Sequence, residues 1–287
     1  MTVAVVGPGA IGGTVAAHLI QSGLDPVLCA RTPFDRLVVH TPAVRIEATP
    51  RVVWDPSQAD PVDWVLIATK TYDVAATALW LDRLVGPATR VAVLQNGVEH
   101  VTRFAPHVPA DRIVPVVVEI PAERSAPGVV VQRRDGWMKV PTGANGAAFA
   151  ALFDSPDLIV STEVDWTSVA WAKLAVNCAG AVSGLTGRSA GVVSRPDIAE
   201  LMRDLVAECL AVGTAEGAVL SADLPDRVVA QTQASPPDSV NSLLADRRAG
   251  RPTEWDARNG VIARLGRKHG IPTPLNAMAA TLLAALD

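Results

Sequence analysis

The chain has 287 residues, of which 49% are hydrophobic and 19% charged, and a formal net charge of −4. That length exceeds a disulfide-stapled miniature and points to two domains, while the apolar share supplies a large core and excludes disorder over most of the chain. The charge gives no global footprint for nucleic acid, and no apolar run approaches the roughly 18 residues of a membrane-spanning helix, so neither nucleic acid nor membrane is an expected partner.

The start, Met1-Thr2-Val3-Ala4-Val5-Val6-Gly7, is a strand pattern without a basic leader, and no signal peptide is expected. Strands are predicted over residues 2–6, 26–30, 64–69, 90–95 and 112–118, with helical pattern between them, as in a parallel sheet with crossover helices. Residues 10–21 carry Val15, Ala16, Leu19 and Ile20 on one helical face and stop at Ser22-Gly23. Residues 129–131 and 138–140 read as a hairpin turning through 133–136, and 158–160 as an edge strand. From Val164 the pattern changes to long amphipathic helices over 166–182, 196–219, 238–249, 254–269 and 275–286. The expected fold is therefore an α/β Rossmann-type N-terminal domain with a parallel sheet, residues 1–163, followed by an all-α C-terminal domain, residues 164–287.

The cations are lopsided: four lysines (Lys70, Lys139, Lys173, Lys268) stand against 21 arginines, so each lysine raises the question of whether an ammonium is required there. Cys29, Cys178 and Cys209 are far apart in apolar segments and read as buried thiols of a reducing compartment, which makes the cytoplasm the expected location. Neither they nor the five histidines show metal-ligand spacing, and no metal is expected.

Gly7-Pro8-Gly9-Ala10-Ile11-Gly12 matches the dinucleotide fingerprint, and it lies between a predicted strand and a predicted helix. Glycines there permit a tight turn and close approach of backbone to pyrophosphate, and the helix N-terminus offers N–H groups; the bland alternative is a glycine-rich turn packed for structural reasons. Past the second strand, where an acid would bind a ribose 2′-hydroxyl, stands Arg31. A guanidinium suits a 2′-phosphate and favours NADP, unless Arg31 is an ordinary surface arginine. Lys70 follows the third strand and Asn96-Gly97 the fourth, at the strand ends where open α/β sheets bind ligands; either could instead belong to a plain loop. Lys173 and Asn177 lie four apart on one helical face in an apolar stretch, which makes the lysine snorkelling or functional. Ser242 and Glu254 flank the turn Ala249-Gly250-Arg251-Pro252, each a surface residue by default.

With Pro127-Gly128-Val129, Trp171-Ala172-Lys173, Asp246, Thr253-Glu254-Trp255-Asp256, Asn259-Gly260 and 271–276, these positions run in the order found in the ketopantoate reductase family, which the chain resembles over nearly its whole length. The resemblance implies NADPH-dependent reduction of a small-molecule 2-oxo acid to a 2-hydroxy acid, by a monomer or homodimer. It makes Lys173 the proton donor or electrostatic stabiliser of the alkoxide, with Glu254 positioning the substrate hydroxyl and Lys173. Asn96, Asn177 and Ser242 become substrate contacts. Cofactor contacts fall on Gly7, Gly9, Ala10, Ile11, Gly12, Arg31 and Lys70, with Asn96 and Glu254 counted there as well. One departure stands out: Ala181 occupies the place of a second asparagine one turn along the helix, with Ser183 as a nearby hydroxyl. A missing polar contact relaxes discrimination, so the alternatives are a paralogue acting on another branched 2-oxo acid or an NADPH-binding sensor without turnover.

Overall fold

In the computed structural model, which describes residues 1–287, the alternation of the first strand decides how the sheet is covered. Strand β1 (Val3–Val6) is buried along its whole length. Val3 and Val5 pack with Val15 and Leu19 of helix α1 (Ala10–Gln21), whereas Ala4 and Val6 pack with Trp80, Leu81 and Leu84 of α2 (Val74–Leu84). Strand period two thus sends alternate side chains to helices on opposite faces, as a parallel sheet requires. The six parallel strands run in the order β5-β2-β1-β6-β7-β8, with β2 at Val27–Cys29, β5 at Val52–Val53, β6 at Val62–Ile67, β7 at Val85–Val93 and β8 at Ile113–Pro115.

Two smaller sheets lie in the same unit. One has the order β10-β11-β3-β4, formed by Ala122–Ala126, Val129–Gln132, Leu37–His40 and Arg45–Ala48, and it brings Val130, Leu37 and Val39 against α1. The other, β13-β12-β9, is formed by Leu158–Glu163, Gly136–Pro141 and Val117–Glu119, and it is packed by the short α4 (Ala144–Ala150) through Phe149. Helix α3 (His100–Phe104) completes the unit.

These sheets correct two expectations. The segments 129–131 and 138–140 do not form a hairpin with each other: β11 pairs β10 and β3, while β12 pairs β13 and β9. Val130 of β11 and Met138 and Val140 of β12 join one core from two different sheets, and the buried Gln132, whose amide donates to the carbonyls of Arg134 and Asp157, holds the chain where it changes sheet. The single strand expected over 112–118 is two. The Val116 amide still reaches the Val93 carbonyl at 3.0 Å, and the chain then leaves for the other sheet, just past Pro115, which has no N–H to extend a ladder.

The helical unit contains α5 (Trp166–Ala179), α6 (Ala181–Thr186), α7 (Pro196–Ala215), α8 (Leu224–Gln233), α9 (Ser242–Arg248), α10 (Val261–His269) and α11 (Pro274–Ala284). The helix predicted over 166–182 breaks at Gly180, where an added Cβ would lie 3.0 Å from the Asn241 amide and 3.1 Å from the Asn177 carbonyl. The one predicted over 254–269 opens with a π-helical turn, Asp256–Gly260. Helix α8 was not expected from sequence, because its polar face dilutes the apolar stripe to Leu224, Val228 and Val229. By backbone contacts the chain divides into Met1–Gln95 with Glu99–Trp166, and Asn96–Val98 with Thr167–Asp287, so three residues of the β7–α3 loop belong with the helices. Val98 packs on the helical core, which includes Leu174, Cys178, Leu205, Cys209 and Val261.

Candidate active site

At the nucleotide end the glycines act through what they leave out. Gly7 has φ of +84°, open to glycine, and a Cβ on it would sit 2.9 Å from the Thr69 amide nitrogen. A Cβ on Gly12 would fall 2.3 Å from the Gly7 carbonyl oxygen, so that position is closed by the protein's own turn. Gly9 differs: the nearest atom to its added Cβ is the Gly7 oxygen at 4.0 Å. The open side therefore lies at Gly9, where α1 begins with no side-chain cap on its first N–H groups and no acid in its first turn. Backbone donors at Ala10, Ile11 and Gly12 beside an open glycine fit a pyrophosphate.

Arg31 follows β2, has a side chain 82% exposed, and lies 3.7 Å from Asp73, itself largely covered. Lys70 is half-buried at the end of β6, and its carbonyl accepts from the Gln95 amide at 3.1 Å, which ties the ends of β6 and β7 together. His100 Nε2 lies 2.8 Å from the Gln95 carbonyl. Burial, reinforced by the nearby Arg103 charge, pushes the His100 imidazole down to about 4, so the neutral ring donates Nε2–H to that carbonyl. The ring thereby fixes the residue that precedes Asn96.

The helical unit brings together side chains distant in sequence. Asn96 Nδ2 donates to the buried Glu254 carboxylate at 2.9 Å, across 158 residues. Asn177, also buried, points its Nδ2 at Asn96 Oδ1 at 3.4 Å. Lys173 is half-buried one turn before Asn177 on α5. Gly97, with φ of +100°, lets the loop turn immediately after Asn96. Glu254 sits just before the π turn, anchored through Thr253, whose amide and hydroxyl donate to the Asp287 carboxylate.

Ser242 is not hydrogen-bonded to Asn96, Asn177 or Glu254: its Oγ accepts from Arg258 Nη2 at 2.8 Å. Nothing in the sequence marks Arg258, which lies past Glu254 within the π turn; only its burial and its bond to Ser242 do. Burial lowers the readiness of its guanidinium to stay charged, and the carboxylates of Glu254 and Asp246 offset that. Asn259 and Asn276, singled out by the family pattern, serve packing instead. Asn259 Nδ2 donates to the Cys178 carbonyl and to Asn276 Oδ1, and Asn276 Nδ2 donates to the Leu205 carbonyl and to Glu208. Ala181 is fully buried in the helical core, so its methyl contributes packing, and Ser183 is buried on the same short helix.

The model of the family described as ketopantoate reductase PanE/ApbA matches residues 3–145, and its C-terminal counterpart matches residues 165–287. A 2-dehydropantoate 2-reductase of Caulobacter vibrioides is 58% identical over 285 residues, covering 99% of this chain and 98% of its own. One from Mycobacterium tuberculosis is 43% identical over 293 residues, covering 99% and 97%. Among solved structures, a dimeric ketopantoate reductase from Staphylococcus aureus superimposes with a TM-score of 0.89 at 26% identity, covering 100% of this chain and 98% of its own.

Proposed function

The chain belongs to the ketopantoate reductase family and is an oxidoreductase acting on CH–OH groups, and from that premise we propose that it reduces 2-dehydropantoate to pantoate with NADPH, a step of pantothenate biosynthesis. The observation that carries the reading is the hydrogen-bonded run of buried Asn177, half-buried Asn96 and buried Glu254 with Lys173 one turn away, in a chain more than half identical to a reductase of that name. When bound, NADPH supplies a hydride to the carbonyl carbon and leaves negative charge on the carbonyl oxygen. Lys173 is assigned to that oxygen. A pre-placed ammonium gains most as the charge develops, and it can release a proton that a guanidinium keeps at neutral pH.

Glu254 orients the substrate hydroxyl and Lys173, and Asn96 and Asn177 hold the substrate from the other side of the same hydrogen-bonded run. Ser242 takes the carboxylate end. Residues 1–163 are assigned to cofactor binding, with Gly7, Gly9, Ala10, Ile11 and Gly12 around the pyrophosphate. Arg31 takes the 2′-phosphate and Lys70 the adenine side, while Asn96 and Glu254 contribute from the helical unit, residues 164–287 being assigned to substrate and catalysis. NADPH over NADH rests on Arg31, whose exposed guanidinium has the bidentate geometry a phosphate needs. The reading includes a monomer or a homodimer, the latter being the state of the Staphylococcus aureus neighbour, in the cytoplasm, where the unpaired buried thiols of Cys29, Cys178 and Cys209 stay reduced.

The test is turnover by the purified protein with NADPH or NADH across branched 2-oxo acids. Oxidation of NADPH fastest with 2-dehydropantoate is expected. Preference for a different acid would move the substrate, and NADPH binding without turnover of any acid would overturn the reaction.

A further inference from the structure

Arg258 lies in the middle of the π turn and is only 3% exposed. Its Nη2 donates to Ser242 Oγ at 2.8 Å, while its Nε is buried without a partner. The carboxylates of Glu254 and Asp246, both buried, favour its charge, and Asp246 is also engaged by Arg251, whose Nε lies 3.0 Å from Oδ1. Burying a guanidinium with part of its hydrogen-bonding capacity unmet is costly, and an aliphatic side chain would fill such a space without that cost.

The direction of the Ser242 bond is fixed by chemistry. A guanidinium has no acceptor, so the serine oxygen accepts and the one serine proton remains to be given elsewhere. Ser242 is itself exposed, so that proton is available to a ligand. A hydroxyl held in this way, with a buried positive charge behind it, matches an anionic acceptor, and the anionic part of a 2-oxo acid is its carboxylate.

We propose that Arg258 is a positioning residue for the substrate carboxylate, holding Ser242 Oγ so that the hydroxyl proton is presented to the acid and placing a buried cation behind it. The proposal rests on the reductase reading above and deepens it by naming what selects an acid over its uncharged analogues.

The test compares Arg258→Met, Arg258→Lys, Ser242→Ala and the double variant Arg258→Met with Ser242→Ala. The readouts are kcat, KM for the acid, KM for its methyl ester, KM for NADPH, and calorimetric binding of pantoate to the enzyme with NADP+. Arg258→Met is expected to raise KM for the acid about tenfold or more, to change kcat by less than about threefold, and to leave the ester and NADPH values unmoved. Adding Ser242→Ala is expected to raise the acid KM by less than about twofold further, because the two residues act as one unit. Arg258→Lys is expected to recover part of the loss. A fall in kcat and thermal stability with an unchanged acid-to-ester ratio would mean a merely structural role and would overturn the proposal. If the methionine variant does not fold, the lysine variant decides: the ratio is expected to fall about threefold for want of the planar fork, and an unchanged ratio overturns. Should the wild type reduce no 2-oxo acid, the reaction falls but calorimetry still judges Arg258. Pantoate binding weakened in Arg258→Met supports the proposal, and equal binding, or none in the wild type, overturns it.

Discussion

The glycine turn and the helical cluster, the two regions proposed to bind cofactor and substrate, offer different parts of the polypeptide. Around Gly7, Gly9 and Gly12 the groups on offer are backbone N–H groups and the room left by absent side chains, all within one short stretch. In the helical unit they are side chains from the β7–α3 loop, α5, the start of α9 and the segment before the π turn. A backbone site is written locally and tolerates no added atom where the turn closes on itself. A side-chain site is written in pieces, and each piece can be altered without unmaking the fold around it. The division of labour follows: substitutions at the first should act on folding and cofactor affinity, and substitutions at the second on turnover.

The strongest challenge to that contrast is Gly12→Ala set against Gly9→Ala. The first places a Cβ 2.3 Å from the Gly7 oxygen, and loss of NADPH binding together with a lower Tm is expected. The second meets only an atom at 4.0 Å, so Tm should hold while NADPH affinity falls. Equal loss of Tm in both would refute the assignment of the open side to Gly9.

Glu254→Gln probes the other region. The amide oxygen can still accept from Asn96, so folding should be kept, whereas removing the charge is expected to lower kcat/KM by about ten- to a hundredfold. Normal steady-state kinetics would remove Glu254 from the mechanism.

His100 gives an effect on stability alone. Its folded value of about 4 lies below the ordinary imidazole value of 6.5, so between those limits the unfolded chain holds a proton that the folded chain does not. Stability is therefore complete above the upper limit and is lost as the pH falls through the window, by about 3 kcal/mol in all. In His100→Gln that part of the acid limb should flatten, measured by denaturant unfolding at several pH values; an unchanged slope would assign it to other groups.

Arg31→Ala is the mildest. The side chain is largely exposed, so no change in Tm is expected, but KM for NADPH should rise about tenfold while that for NADH stays put. A parallel rise in both would move the 2′-phosphate elsewhere.

The same contrast explains what could be read from sequence. The strand before Gly7, the glycine spacing and α1 declare themselves because their hydrophobic period and turn chemistry are local, and α1 spans the predicted residues. The segments β11 and β12 cannot be assigned to their two sheets from sequence, since an apolar run reads the same whichever sheet receives it. Lys173 and Asn177 stand out through helical spacing. Asn96 and Glu254 were connected only by resemblance to a family, because nothing in either segment announces a partner 158 residues away. Arg258 was one among 21 arginines, and what distinguishes it is burial, which a lone cation in a polar turn does not reveal.

The most direct measurement is made on Lys173→Ala, with NADPH affinity by fluorescence titration and the single-turnover rate of 2-dehydropantoate reduction determined on the same preparation. NADPH affinity is expected to match the wild type, while the rate falls by about a hundredfold or more. A rate near that of the wild type would contradict the placing of the chemistry at Lys173, and so would a loss of rate explained entirely by lost NADPH binding.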